Sequence, residues 1–315
     1  MKFSFYLKSA AANNTWEAQR RESTRMACIA LAMERQGHDV QIADASPQFM
    51  DCPNWQFFKH LHGASNGGFT VYPAETLRRG QSGVDIAFRC SVGTKFDQSY
   101  IGQCRLLVAH EYAKEVENEP KLLPVPFMIH NEVIQVLAED GLFDAFIDND
   151  LDTIRNHFRE GSVRHDKLVG FIGGDWPSRK SLCDNHPEWV DVAFYDHVGT
   201  RRMEAAEHCR WLMRFSAALA MSGSTPKTNL PSLLAMLGIP IVMEPITVFD
   251  TPPFDDTNTI LMQLDAAGRP DWSRVLRVLS NPDAVASRQA KATNDYIGSW
   301  SPAGHARLIS ERLNP

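Results

Sequence analysis

Residues 215–244 read FSAALAMSGSTPKTNLPSLLAMLGIPIVME. An apolar, strand-like run ends at Met221. A polar loop follows, with Gly223, Ser224, Thr225, Lys227, Thr228 and Asn229 in it. The pattern then predicts a short apolar helix over Pro231–Leu237, closed by Gly238, and a second buried strand over Ile239–Met243. Pro231 suits a first helical turn, where its missing N–H removes no bond, and Gly238 suits the C-terminal cap. A strand, a hydroxyl-rich loop and a helix start together make an anion site. The first backbone N–H groups of a helix lack partners inside it, and the helix dipole adds positive potential there. Lys227 contributes a point charge suited to phosphate. The stretch predicts an α/β layer and a phosphate-bearing ligand.

The same pattern recurs outward from this stretch. FSFYL (3–7) reads as a buried strand, and Trp16 to Gln36 as a helix with Met26, Ile29, Ala30 and Met33 on one face. Gly37 ends it before a second strand at Val40–Ala43. Strand, helix, glycine and strand open a parallel α/β layer. Residues 51–80, with their Pro, Gly, Asn and aromatics, read as long loops or an insertion. VDIAF (84–88), RLLVAH (105–110) and FDAFID (143–148) read as further strands. RNHFREGSVRHD (155–166) looks like a linker, after which KLVGFIGG (167–174), VDVAFYD (190–196), RFSAALAM (214–221) and IPIVM (239–243) restart the strand pattern. Helical spacing returns at Val275, Leu276, Val278 and Leu279, and again at Ala306, Leu308 and Ile309. No fixed-period repeat or low-complexity tract is present.

A chain of 315 residues exceeds what one core usually serves, so two domains are expected, 1–160 and 161–315. Their ligand belongs in the cleft beyond the carboxyl ends of the strands. Hydrophobic residues at 43% and charged ones at 22% are ordinary for a globular protein. The net charge of −6 argues against strong nonspecific attraction to nucleic acid. The six cysteines (28, 52, 90, 104, 183, 209) are scattered without a CxxC pair, which predicts reduced thiols rather than a disulfide framework or zinc cluster. FSFYL between Lys2 and Lys8 is too short for a signal peptide, and no apolar run nears the ~20 residues a membrane span needs. The expectation is a cytoplasmic protein.

Three segments carry a family resemblance. FIGGDWPSRK (171–180) is similar to the first donor-domain strand and phosphate loop of GT-B glycosyltransferases. VAFYDHVG (192–199) falls where such enzymes place the strand beside the nucleobase. Residues 215–243 resemble their strand, diphosphate loop and helix. With NTILMQLDAAGRPDWSRVLRVLSNPD (258–283), the second half is most similar to the CAP10-like and exostosin-like branch, and more distantly to phage DNA glucosyltransferases. The resemblance covers roughly 120–150 residues. It implies an α/β fold of two Rossmann-like domains facing an interdomain cleft, with the C-terminal helix crossing back to the first domain.

The activity so implied is transfer of a sugar from a nucleotide-sugar donor, a UDP-sugar foremost, to a hydroxyl acceptor. That acceptor would be a surface saccharide or lipopolysaccharide, or a hydroxymethylated base in phage DNA. No cofactor and no metal are expected. Gly173, Gly174, Ser178, Arg179, Lys180, Gly223, Ser224, Thr225, Lys227, Thr228 and Asn229 would hold the donor diphosphate, with Asp196 and His197 near the base or ribose. Many relatives hold the ribose with a Glu on the helix after the diphosphate loop. Here that helix is PSLLAML, which leaves Asn229 or Glu244 for the task. At a strand end, His110 or Glu111 would deprotonate the acceptor, with Asp85 and Asp97 as weaker candidates.

Blander readings stand beside these. GGDWPSRK also reads as a turn with solvated charges, STPKTN as a surface turn capping the next helix, and His110–Glu111 as an idle strand-end pair. Arg20, Arg21 and Arg25 read as helix-surface charge before they read as phosphate contacts. Asp148-Asn149-Asp150 spells the DxD of metal-dependent GT-A transferases, but Asn149 or Asp150 is also placed to cap the following helix. His60 and His62 lack companions for a metal, and Trp16, Trp55 and Trp176 read as packing before sugar stacking. A non-catalytic nucleotide- or phosphosugar-binding protein is the remaining alternative.

Overall fold

The alternating apolar residues of the first half pack into a parallel sheet of six strands among the described residues. In a computed structural model the described residues are 1–7, 16–77, 83–89, 99–110, 118–126, 128–174, 186–195, 203–221, 229–245, 253–265 and 269–314. The first-sheet strands are β1 (Lys2–Tyr6), β2 (Asp39–Asp44), β3 (Phe69–Pro73), β4 (Val84–Arg89), β5 (Cys104–Ala109) and β6 (Leu122–Pro124). They lie in the order β2-β1-β3-β4-β5-β6, every pair parallel. Helix α1 (Trp16–Arg35) follows β1, and α2 (Pro47–Met50) and α3 (Ser99–Gln103) are short. Phe3, Phe5, Ile86, Phe88, Leu106 and Val108 lie on the face buried in the core that includes α1, and Ala87, Leu107 and Ala109 lie on the opposite face, as a two-residue period requires.

Three helices, α4 (Asn131–Glu139), α5 (Phe143–Asp148) and α6 (Leu151–Arg159), carry the chain to the second sheet. That sheet comprises β7 (Val169–Gly174), β8 (Val190–Tyr195), β9 (Ala217–Ala220), β10 (Ile241–Met243) and β11 (Ile260–Leu261), in the order β11-β10-β9-β7-β8 and again parallel. Helix α7 (Ala205–Leu212) precedes β9, and α8 (Leu230–Leu237) joins β9 to β10. One face of this sheet, with Ala218, Ala220, Ile241 and Met243, merges with α6, α8 and the core of the first half. The other face, with Val169, Phe171, Leu219 and Val242, packs on Val275 of α9 (Trp272–Leu279).

The tail forms α10 (Pro282–Asp295), a π-helical turn at Tyr296–Trp300, and α11 (Pro302–Leu313). Ser301 caps α11 by accepting from the Gly304 N–H at 3.0 Å. α11 crosses back onto α1. Gln36 Nε2 donates to the Ala303 carbonyl at 2.8 Å, Ser310 Oγ meets His38 Nε2 at 3.0 Å, and Arg312 donates to the Pro120 carbonyl at 3.0 Å. The fold is therefore the expected α/β arrangement of two Rossmann-like sheets with a C-terminal helix that crosses back.

Three expectations need correction. FDAFID is helix α5 and not a strand: Phe143, Phe146 and Ile147 are buried at helical spacing, which six residues also allow to be read as alternation. Residues 51–80 are not only loops. They contain 3₁₀ turns at Pro53–Phe57 and Lys59–Leu61, then β3, which lies between β1 and β4. The signal for β3 is Gly68: a Cβ there would stand 2.5 Å from the Lys2 carbonyl oxygen, so the chain approaches β1 as only glycine permits. The first part of 155–166 belongs to α6, whose buried stripe is Leu151, Ile154 and Phe158.

Candidate functional site

Because the second sheet is parallel, β7, β8, β9 and β10 deliver their carboxyl ends to one edge. Gly173 and Gly174 of β7 pair with Phe194 and Tyr195 of β8, and Ala220 of β9 pairs with Met243 of β10. The segments leaving that edge hold Ser178, Arg179 and Lys180, then Asp196 and His197, then Gly223, Ser224, Thr225, Lys227 and Thr228. All ten lie outside the described residues. So do Glu111, Asp97 and Trp176, and the side chains of Trp16, Arg20 and Arg21.

At this edge α8 is the described element most suited to an anion. Asn229 holds its N-cap position without a side-chain capping bond, and Pro231 sits in its first turn. Every residue from Pro231 to Leu237 is buried, so solvent screens the helix dipole poorly. The far end is fixed. Arg155 of α6 donates from Nε to the Met236 carbonyl at 2.9 Å, and from Nη2 to the Ala235 carbonyl and Thr293 Oγ1, each at 3.0 Å. Gln289 Nε2 donates to the Gly238 carbonyl. Gly238 caps the helix at φ 70°, as expected, and a Cβ there would lie 2.8 Å from the Arg155 guanidinium. Glu244 is half-buried just past β10, at the same edge.

In the first sheet, His110 follows β5 directly. Its ring is buried, and Nδ1–H donates to the Pro126 carbonyl at 2.8 Å. A carbonyl only accepts, so the neutral ring carries its proton on Nδ1 and its lone pair on Nε2, the tautomer a general base requires. The His305 ring of α11 stands 6.0 Å from it, centroid to centroid. Burial, and secondarily the charge of Arg25, push the His305 imidazole down to about 3. Arg25 is itself buried on α1, which corrects its reading as surface charge. Neither His305 nor Arg155 was legible as part of a site, since each is a single polar residue in an ordinary helical pattern.

The remaining candidates separate from the site. Asp148 Oδ2 pairs with Arg35 at 2.5 Å, while Asp150 caps α6, accepting from the Thr153 N–H at 3.3 Å and its hydroxyl at 2.6 Å. These two hydrogen bonds hold the Asp150 carboxyl below its ordinary range. The two carboxylates thus serve different partners. No cluster of three or more His, Cys, Asp or Glu suited to a metal occurs among the described residues. Asp85 accepts from the N–H and hydroxyl of Thr70 on the neighbouring strand, each at 2.9 Å. Trp55 packs edge-on against Phe49 and His62. No described helix is long and apolar enough to cross a membrane.

No protein-family model matches the chain, and no curated protein matches it by sequence. Among solved structures, it is similar to a glycosyltransferase from Rickettsia africae ESF-5, at 8% identity and a TM-score of 0.52 over 99% of this chain and 98% of that one. Looser overlays are found with HepE (Alr3699) of Anabaena in complex with UDP-glucose (9% identity, TM-score 0.49, 99% of both chains). Another is sucrose-phosphate synthase of Thermosynechococcus elongatus (10% identity, TM-score 0.48, 99% of this chain and 98% of that one). The near end-to-end match to the Rickettsia protein, together with the two parallel sheets and the crossing helix, establishes a GT-B type fold. That fold is not the GT-A scaffold in which Asp148 and Asp150 would share a metal.

Proposed function

We propose that this chain transfers a sugar from a nucleotide-sugar donor to a hydroxyl acceptor, with a UDP-sugar as the foremost donor and without a catalytic metal. The observation that carries the reading is α8. This buried helix starts at the carboxyl edge of the second sheet, directly after the STPKTN loop, and Arg155 anchors its far end. Its dipole, the backbone amides of 223–225 and 228–229, and the cations Arg179, Lys180 and Lys227 would offset charge on the leaving diphosphate. Gly173, Gly174 and Ser178 would let the diphosphate approach β7. Asp196 and His197 would lie near base or ribose, with Asn229 or Glu244 supplying the ribose contact. His110, with Glu111 beside it, would take the acceptor proton; its Nδ1–H bond to Pro126 supports that role.

The acceptor is a surface saccharide or lipopolysaccharide before it is a modified base in phage DNA, because a net charge of −6 opposes a polyanion. Kinship with the CAP10-like and exostosin-like branch is the finer reading of the second-half motifs. The test is a thermal-shift panel of UDP-, GDP-, CMP- and ADP-sugars. A ligand at 100 times its dissociation constant adds ~2.7 kcal/mol of stability. A shift with one donor, followed by its turnover, supports the reading. A shift without turnover on any acceptor would favour a non-catalytic nucleotide- or phosphosugar-binding protein.

A further inference from the structure

Helix α4 starts against the usual capping rule. His130 occupies its N-cap without a side-chain capping bond, and Asn131, a residue suited to the cap, comes one position late. Asn131 is 5% exposed, and its Oδ1 has no hydrogen-bond partner among the described residues. Burial of Val133, Ile134 and Leu137 holds the helix, which leaves the cap position open to another use. The His130 ring commits Nδ1 to the Glu132 carboxylate, 2.5 Å away, and the two side chains are 37% and 34% exposed. A carboxylate only accepts, so the neutral ring carries its proton on Nδ1 and a lone pair on Nε2. Among the described residues no group bonds to that Nε2.

This imidazole lies at the edge of the first sheet that carries His110. The Val125 N–H donates to the Ala109 carbonyl at 3.0 Å and the Pro126 carbonyl takes the His110 Nδ1–H, so the two segments leave the sheet side by side. His130 follows four residues after Pro126, a reach of at most about 14 Å. We propose that His130, held by Glu132, accepts a hydrogen bond from a second hydroxyl of the acceptor and thereby selects which hydroxyl reaches His110; this rests on the reading of His110 as the acceptor's base. The ligand so defined is a saccharide or other polyol, with a hydroxyl beside the one that reacts. His130 takes no proton in this scheme. Glu132 fixes the ring, Nε2 fixes the sugar, and His110 keeps its own lone pair for the reacting hydroxyl.

The experiment compares His130→Ser and His130→Gln with the unmodified protein, using UDP-glucose as donor and the methyl glycosides of glucose, galactose and mannose as acceptor probes. Serine supplies the missing cap but cannot reach the Nε2 position. His130→Ser should therefore raise the melting midpoint and also raise KM for the acceptor about tenfold, the size of one lost hydrogen bond. It should spread the product over more than one linkage, with KM for UDP-glucose unchanged. Glutamine places an amide oxygen near Nε2 and should restore most of the acceptor affinity without the gain in midpoint. In ¹⁵N imidazole spectra of the whole protein, His130, assigned by its loss in His130→Ser, should be the Nδ1–H tautomer. A glycoside of the panel should shift its Nε2 resonance. A resonance indifferent to all three glycosides, or a folded His130→Ser with parental acceptor KM and linkage, overturns the proposal. Full turnover in His110→Ala would instead remove the base reading, and the glycoside-induced shift would still decide the binding site.

Discussion

The Arg155 guanidinium donates to the carbonyl oxygen of Met236 at 2.9 Å, across the junction between the linking helices and the second sheet. A cation at a helix C-terminus satisfies carbonyls that have no partner inside the helix and opposes the negative end of the dipole. Arg155 does this for α8, the helix whose other end faces the candidate diphosphate.

Arg155→Met should therefore destabilise the fold by roughly 1.5–3 kcal/mol, the worth of a few charge-assisted bonds at a half-buried site. Gly238→Ala should also destabilise, because its φ is positive and its Cβ would press on that guanidinium. Urea unfolding measures both. Parental midpoints in the two variants would mean that α8 is held by apolar packing alone.

Asp148 and Asp150 are predicted to matter for stability and not for transfer. Turnover should survive EDTA to within a few-fold, and Asp150→Asn should lower the melting midpoint while leaving kcat near the parental value. The Thr153 hydrogen bonds depress the Asp150 carboxyl, so this capping contribution should be present at neutral pH and fade as the solution is acidified. Complete loss of activity in EDTA, restored by Mn²⁺, would contradict the assignment.

Much of this architecture was readable in advance because strand alternation and glycine punctuation are local signals. Gly238, Pro231 and the apolar run between them marked α8 to within a residue of its observed start. FDAFID misled because its alternate and its i, i+3, i+4 apolar positions both fit six residues. Only its packing, with Asp144 and Asp148 turned outward to Arg35, decides for the helix. β3 was hidden because its evidence is a close backbone approach at Gly68 and not a pattern of side chains. The candidate site is only partly a matter of local pattern. His110 stood out as a polar residue at a strand end, but His305 and Arg155 meet neighbours nearly 200 and 80 residues away, which no local spacing reveals.

Folding of His305 into an apolar interior should leave a pH signature. Its folded value of about 3 lies below the ordinary 6.5, so as pH falls the unfolded chain takes up this proton first. The stability it contributes is full above about pH 6.5 and is lost as pH drops towards 3, with a slope near 1.4 kcal/mol per unit. His38, also lowered by burial and by the N-terminal charge, acts in the same direction. The difference between parent and His305→Asn isolates the His305 part. Parallel stability curves from pH 7 to 4 would refute it.

The central claim is that the loops beyond β7 and β9 hold a donor diphosphate, and calorimetric titration tests it most directly. The donor selected by thermal shift is titrated into the parent, Arg179→Ala and Lys227→Ala. Each variant removes a charge-assisted hydrogen bond worth roughly 1.5–3 kcal/mol, so affinity should fall about ten- to a hundredfold with little change in melting midpoint. His110→Ala should keep donor affinity and lose turnover. Unchanged affinity in both loop variants would remove the diphosphate from these loops and contradict glycosyl transfer as the function.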